Sequence, residues 1–93
     1  MQNIVIEFYG VPRIRTGQAT AVLTFDPAVP VSLHDVSRAL IDRFPALSGD
    51  CITHDGPTDG YVFCIDGKHF VRERSHRIDA SQTLLFISAD AGG

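Results

Sequence analysis

The stretch TLLFIS at residues 83–88, followed by ADAGG at residues 89–93, decides the fold of this chain. Residues 83–88 are apolar at both alternating sets of positions, which is typical of a strand that is covered on both faces in the middle of a sheet. The two glycines that follow lack a Cβ, so they can pass through a narrow channel in extended or positive-φ conformations. We therefore expect a single domain over residues 1–88 and a flexible tail over residues 89–93.

A free carboxylate at Gly93 defines the chemistry that this tail can offer. An α-carboxyl group titrates near pH ~3.5, so it is ionised at neutral pH and is a poor electrophile. Another enzyme must activate it, most simply as an acyl-adenylate that a sulfur or amine nucleophile then displaces. The alternative is that two small residues at a terminus carry no function.

The start of the chain predicts an antiparallel hairpin. Residues 3–9 (NIVIEFY) and 18–25 (QATAVLTF) alternate with a period of two, and residues 13–17 form the loop between them. The positions that we expect to face the core are Ile4, Ile6, Phe8, Ala19, Ala21, Leu23 and Phe25.

Residues 33–44 predict one amphipathic helix that packs on the sheet. Ser32 and Asp35 have the spacing of a helix N-cap with an acidic residue three places on, and Pro45 ends the helix. The apolar stripe consists of Leu33, Val36, Leu40, Ile41 and Phe44. The residues expected on the solvent side are Ser37, Arg38, Asp42 and Arg43.

The second half of the chain predicts a loop and a second hairpin. Residues 48–60 are rich in Gly, Asp, Thr and Pro, which is typical of irregular structure. Residues 61–65 (YVFCI) then alternate as a strand, and Asp66-Gly67 favours a type I′ turn into residues 68–71.

Composition excludes several classes of function. The chain has 93 residues. Its formal net charge of −3 and its pI near 5.7 argue against sequence-independent binding of nucleic acid. No stretch approaches the ~20 apolar residues that a membrane span needs. The start MQNIVIEFYG has neither a basic region nor a long apolar run, so we expect no signal peptide and a cytoplasmic location.

Metal and catalytic motifs are missing from the sequence. Cys51 and His54 make one C-x-x-H pair, but the second pair that a zinc site needs is absent, so we expect loop or surface residues there and no metal. Cys64 has no neighbour that would activate it and is expected to be a packed or surface thiol. No H-E-x-x-H, G-x-S-x-G or P-loop pattern occurs, which argues against an independent enzyme.

The order strand, strand, helix, strand, short strand, strand and Gly-Gly tail resembles the β-grasp, or ubiquitin-like, sulfur-carrier family. This family includes the small subunit of molybdopterin synthase (MoaD) and the thiamine-pathway carrier (ThiS). The resemblance spans essentially the whole chain and rests on residues 36–47 (VSRALIDRFPAL), 63–68 (FCIDGK) and 84–93 (LLFISADAGG). The helix ending resembles MoaD more closely, although residues 88–91 (SADA) replace the Pro-Pro-Val-like stretch usual there. The implied fold is α+β, with a mixed four- to five-stranded sheet packed on one helix.

The resemblance also implies a function. A ubiquitin-activator-like adenylating enzyme would use ATP to convert the Gly93 carboxylate to an acyl-adenylate, and a sulfur donor protein would then leave a thiocarboxylate on Gly93. Gly92, Ala91 and Asp90 would thread into a sulfur-accepting synthase, MoaE-like or another. The chain itself would be a carrier or a non-catalytic subunit that holds no cofactor, and molybdopterin-type biosynthesis is the expected pathway.

A docking surface is expected on the outer face of the sheet. If Leu84 and Phe86 face the helix, then Leu85 and Ile87 face outward, and Cys64 and Val62 share that face if their strands are neighbours. An exposed apolar patch of this kind usually marks a partner surface, although a loop or a second copy could also cover it. Lys68, Arg72, Arg74 and Arg77 either steer an acidic partner or decorate a strand edge.

The sequence is also compatible with two other functions. The chain could be a protein modifier that is joined through Gly93 to lysines of its targets, or a non-covalent β-grasp interaction module.

Overall fold

A five-stranded sheet carries the fold, and Thr83–Ser88 forms its central strand. The computed structural model of the chain describes residues 1–89. In chain order the strands and helices are β1 (Gln2–Phe8), α1 (Val11–Thr16), β2 (Thr20–Phe25), β3 (Val31–Ser32), α2 (Leu33–Arg43), a 3-10 turn (Pro45–Leu47), β4 (Ile52–Thr53), β5 (Gly56–Pro57), β6 (Tyr61–Ile65), β7 (His69–Val71), β8 (Arg77–Ile78) and β9 (Thr83–Ser88).

The strand order in this sheet is β2-β1-β9-β6-β7. Strand β9 runs parallel to β1 and antiparallel to β6, whereas β1–β2 and β6–β7 are antiparallel hairpins. Two small antiparallel pairs, β3–β8 and β4–β5, lie outside it. The predicted α+β class, with a mixed sheet of four to five strands and one packed helix, is therefore confirmed, as is the central position of β9.

The core lies between the sheet and α2. Phe8, Phe63 and Phe86 are the largest fully buried side chains, and the rings of Phe63 and Phe86 are 4.7 Å apart between centroids. Residues 4, 6, 8, 21 and 23 face this core as predicted, whereas Ala19 is exposed because β2 begins only at Thr20. Full burial of one such aromatic side chain contributes about 2–3 kcal/mol.

Helix α2 begins with the predicted capping box. The Ser32 hydroxyl accepts a hydrogen bond from the Asp35 backbone N–H at 3.2 Å, and the Asp35 carboxylate accepts one from the Ser32 N–H at 2.9 Å. Two further helix N–H groups donate to carbonyl oxygens of residues 72–77: Leu33 to His76 at 2.8 Å and His34 to Arg74 at 2.9 Å. The first turn of the helix is thus held by main-chain acceptors as well as by a side chain.

The prediction that Ser37 faces solvent is wrong. Ser37 is fully buried, and its hydroxyl donates to the Leu33 carbonyl at 2.8 Å, which satisfies its polar atom inside the protein. Strands β4 and β5 also contact α2, so more of the helix is covered than its apolar stripe suggests.

The predicted loop at residues 13–17 is also wrong, because the chain forms α1 there. Pro12 lies in the first turn of α1, where a missing N–H costs nothing. Gly17 ends the helix with a positive φ of 69°, and its N–H donates to the Arg13 carbonyl at 3.0 Å.

The segment at residues 48–60 is more ordered than its composition suggests. The β4–β5 pair lies within it, and Cys51 and Ile52 are fully buried against the core. Cys51 lies in a turn just before β4, as expected for a loop residue, but it is buried instead of at the surface, whereas His54 is exposed as expected. In the part of the chain that the structure describes, no helix is long and apolar enough to cross a membrane.

The substitution Ser32→Ala should lower the free energy of unfolding by about 1 kcal/mol, because it removes the hydroxyl that caps α2. Urea denaturation followed by circular dichroism measures this difference. The matched control is Ser81→Ala at an exposed position, which should change stability much less. Equal effects of the two substitutions would contradict the role of the cap.

Candidate functional site

The last described residues lead from the sheet centre toward the Gly-Gly sequence. Strand β9 ends at Ser88, which pairs with Tyr61, and the Ala89 N–H then donates to the Gly60 carbonyl at 2.8 Å. Asp90, Ala91, Gly92 and Gly93, the predicted threading and attachment residues, lie outside the described residues. The point from which the chain continues toward them is held by pairing with β6, since the pairing of β9 with β1 ends at Phe86.

The outer face of the sheet brings together the four predicted docking residues. Leu84 and Phe86 are buried toward α2, so Leu85 and Ile87 point to the opposite face, where both are half-buried. The β6–β9 register pairs Cys64 with Leu85 and Val62 with Ile87. Side chains that are directly opposite on neighbouring strands share one face, so these four form a contiguous set.

Val62 and Cys64 are nearly inaccessible to solvent, although they lie on the outer face. They are only 5% and 4% exposed, although neither belongs to the main core cluster. Side chains on the outer face therefore cover them. Phe70 stands directly opposite Cys64 on β7 and is itself 64% exposed. We define the outer patch as Val62, Cys64, Phe70, Leu85 and Ile87.

Phe70 was missed at the sequence level because of a one-residue shift in register. The Asp66-Gly67 turn forms with positive φ at both residues, as predicted, and the Lys68 N–H donates to the Ile65 carbonyl at 2.9 Å. A simple two-residue hairpin would place His69 opposite Cys64. The observed ladder instead pairs Ile65 with His69, which puts Phe70 there.

A polar pair borders the outer patch on the β1 side. Glu7 lies beside Leu85 in the β1–β9 register, and the Tyr9 hydroxyl donates to the Glu7 carboxylate at 2.5 Å. This hydrogen bond raises the pKa of the Tyr9 phenol, because it favours the protonated form. The patch therefore has an apolar centre and one hydrogen-bonded polar border.

The predicted basic rim is divided between two sheets. Lys68 and Arg72 flank β7, and the Arg72 guanidinium lies 3.5 Å from the Asp59 carbonyl. Arg77 instead belongs to β8, opposite Ser32. Arg74 forms an exposed salt bridge with Asp55 at 2.9 Å, which adds little stability. Only Lys68 and Arg72 therefore adjoin the strands that carry the patch.

Metal and thiol chemistry have little support in residues 1–89. Within that range no group of three or more His, Cys, Asp and Glu side chains could hold a metal ion. Both cysteines are buried free thiols. Burial raises the pKa of the Cys51 thiol, a change that the neighbouring Tyr61 hydroxyl partly offsets, so Cys51 is protonated at neutral pH.

No protein-family profile matches this chain, and no curated protein matches it. Solved structures do match it. SAMP1 from Haloferax volcanii has a TM-score of 0.78 at 18% identity, over 98% of this chain and 99% of that one. Small archaeal modifier protein 1 from Methanosarcina acetivorans gives 0.72 at 18% identity, over 100% and 98%. A putative molybdopterin converting factor, subunit 1, from Pyrococcus furiosus gives 0.72 at 8% identity, over 95% and 98%.

These similarities show the fold. The chain has the β-grasp, ubiquitin-like architecture that its resemblance to the sulfur carriers predicted. The similarity covers nearly the full length of both chains, so no large insertion separates this protein from these folds.

The substitution Phe70→Ala should speed the reaction of Cys64 with a thiol reagent in the native protein, because it removes the ring opposite that thiol. Mass spectrometry after timed alkylation, with peptide mapping, measures the rate at each cysteine. Cys51 lies in the core and is the internal control, so its rate should not change. An equal increase at both cysteines would show general unfolding instead of local uncovering.

Proposed function

We propose that this protein is a sulfur carrier whose Gly93 carboxylate is adenylated and then converted to a thiocarboxylate. The observation that supports this proposal most directly is the position of β9. The strand that precedes the Gly-Gly sequence is the central strand of a β-grasp sheet, and it is paired up to Ser88. Such pairing fixes where the tail begins, so a partner that docks on the body receives the tail at a defined place.

The chemistry belongs to partner enzymes. A ubiquitin-activator-like adenylating enzyme forms the mixed anhydride between the Gly93 carboxylate and AMP, with release of pyrophosphate from ATP. A hydrosulfide equivalent from a sulfur donor protein then forms a C–S bond as the C–O bond to AMP breaks. If the donor is a persulfide, a thiol must also cleave the S–S bond to release the thiocarboxylate. The chain supplies the electrophilic carbon and no catalytic side chain.

Unloading takes place in a sulfur-accepting synthase. Gly92, Ala91 and Asp90 follow one another without a bulky side chain, and glycine allows close approach of the backbone to an active-site wall. Molybdopterin-type biosynthesis, with a MoaE-like acceptor, is the pathway we propose. The structural similarity to the Pyrococcus furiosus protein, a putative molybdopterin converting factor subunit, supports this choice.

The outer patch is the surface that we propose for docking on these enzymes. Phe70 presents a large exposed ring at its edge, and exposed aromatic side chains are frequent anchors at protein interfaces. Leu85 and Ile87 lie on the same strand that continues toward the tail, so a partner bound to them is held beside the reactive end. Lys68 and Arg72 adjoin this surface and favour an acidic partner.

A protein modifier is the second candidate, because two of the structural neighbours are small archaeal modifier proteins. In that case the activated Gly93 carbonyl is attacked by a lysine amine of a target, which yields an amide. The activation step is common to both functions. They differ in the nucleophile and in the fate of the carbonyl carbon.

Intact-mass spectrometry separates the two candidates. The native protein, after verification that its chain ends at Gly93, is incubated with the adenylating enzyme of its own organism, ATP and a sulfur donor. A sulfur carrier should gain the mass difference of one oxygen-to-sulfur exchange, located at Gly93 by fragmentation. The control is a variant that lacks residues 92–93, which should show no exchange.

Other results would change the conclusion. Lysine-linked conjugates in a denaturing gel, lost in the variant without residues 92–93, would identify a modifier. Activity in cells that survives this deletion would exclude both candidates and favour a non-covalent interaction module.

The substitution Phe70→Asp should weaken docking on the adenylating enzyme by about tenfold or more, because it places a charge in a desolvated contact. Steady-state adenylation kinetics should show this as a higher KM for the carrier. Val29→Asp is the matched control, since Val29 is 53% exposed but lies between β2 and β3, away from the outer patch. If both variants are adenylated like the unaltered protein, the outer patch is not the docking surface.

A further inference from the structure

The short helix α1 presents an apolar face to solvent. Val11 and Ile14 are three residues apart, so they lie on the same side of the helix, and both are exposed. Ile14 is 79% exposed, whereas Pro12 is the residue of α1 that is buried against the body. Most of the Ile14 side chain therefore contributes nothing to the core. One exposed apolar side chain is common on a protein surface, but a pair on one helix face is a candidate contact.

This face lies at the end of the sheet from which the chain continues toward Gly93. Strands β1 and β9 are parallel, and Phe8 pairs with Phe86 near the end of both. The Tyr9 N–H then donates to the Phe86 carbonyl at 3.1 Å, and α1 begins two residues later, in contact with β9. Since Phe8 and Phe86 are buried, the next residues, Tyr9 and Ile87, point to the outer face. Helix α1 therefore adjoins both the end of β9 and the outer patch.

Helix α1 is also basic. It contains Arg13 and Arg15 and no acidic residue. Arg15 is paired with Asp50 at 2.6 Å, whereas Arg13 is exposed and has no ion pair within residues 1–89. The Glu7 carboxylate, at the end of β1, instead accepts the hydrogen bond from the Tyr9 hydroxyl. The Arg13 guanidinium is thus available to a carboxylate of a partner.

The length of the tail determines what covers α1. Four residues follow Ala89 up to Gly93, and four residues span at most about 14 Å. An active site that holds the Gly93 carboxylate must therefore come within about 14 Å of Ala89. Ala89 is held at the end of the sheet by its bond to the Gly60 carbonyl, and α1 lies at that same end. The rim of such an active site consequently faces α1.

We propose that Val11 and Ile14, with Arg13 beside them, dock on the rim of the active site that receives Gly93 in the adenylating enzyme. The matching rim is apolar and carries an acidic side chain opposite Arg13. This inference rests on the proposed function and adds a second contact to the outer patch. Contacts on two different elements fix the orientation of the body, so they align the tail with the reacting groups.

The first test detects binding without chemistry. The full chain, with isotope-labelled valine and isoleucine methyl groups, is mixed with the adenylating enzyme of its own organism in the absence of ATP and followed by NMR. The methyl signals of Val11 and Ile14 should shift or broaden, because the rim covers them. Val29 is the internal control, since it is also exposed. The Gln2 side chain donates to the Val29 carbonyl at 2.9 Å, which places Val29 at the opposite end of β1 from α1.

The substitution Ile14→Asp should lower kcat/KM for adenylation of the chain by about tenfold, because it places a charge in an apolar contact. Val29→Asp is the matched control and should change kcat/KM little. Ile14 is exposed, so the amide spectrum of the variant should show an unaltered fold.

The substitution Arg13→Glu should also lower kcat/KM by about tenfold, since it places like charges opposite each other. The difference from the unaltered chain should shrink at high salt, because salt screens this repulsion. Arg38→Glu makes the same change in net charge at an exposed position of α2 and should have a much smaller effect.

The outcomes separate this inference from the proposed function. Adenylation of the unaltered chain, with the same kcat/KM for Ile14→Asp and Arg13→Glu, would overturn the α1 contact and leave the sulfur-carrier proposal intact. Losses of equal size in Val29→Asp and Arg38→Glu would also overturn it. A response of the α1 methyl signals without any adenylation would support the contact and contradict the proposed function. Neither adenylation nor a methyl response would contradict both.

Discussion

The pairing of β9 with β1 on one side and β6 on the other is the interaction on which the rest of the structure depends. Each hairpin alone is a two-stranded unit, and such units are marginal in water. Strand β9 joins them into one sheet and buries Leu84 and Phe86 beneath α2. Because β1 and β9 are far apart in sequence, the sheet forms only when distant parts of the chain meet, which favours slow folding relative to helical domains of this size.

The same strand contributes side chains to both faces of the sheet. Its inward residues belong to the core, and its outward residues Leu85 and Ile87 belong to the outer patch. Side chains that pack in the core thus alternate with side chains of the outer patch along six residues.

The sequence predicted the elements that depend on local pattern. The period-two strands, the capping box at Ser32 and Asp35, and the Asp66-Gly67 turn were all found where the pattern placed them. The predictions that failed concern residues whose surroundings depend on long-range contacts. Ser37 is buried although it lies outside the apolar stripe of the helix, and Phe70 faces Cys64 because of a register shift beyond a correctly predicted turn. Pro12 is compatible with a loop or with the first helical turn, and the choice between them depends on the surrounding packing.

The first N–H groups of α2 donate to the carbonyl oxygens of Arg74 and His76. These main-chain bonds affect which substitutions the fold tolerates. Main-chain atoms are the same in every residue except for the N–H that proline lacks, so mutation can replace the side chains at these positions without removing the bonds. A fold that is stabilised by such contacts keeps its geometry while its amino-acid sequence changes. Similar backbones can therefore be built from very different sequences, as the low identity between this chain and its structural neighbours illustrates.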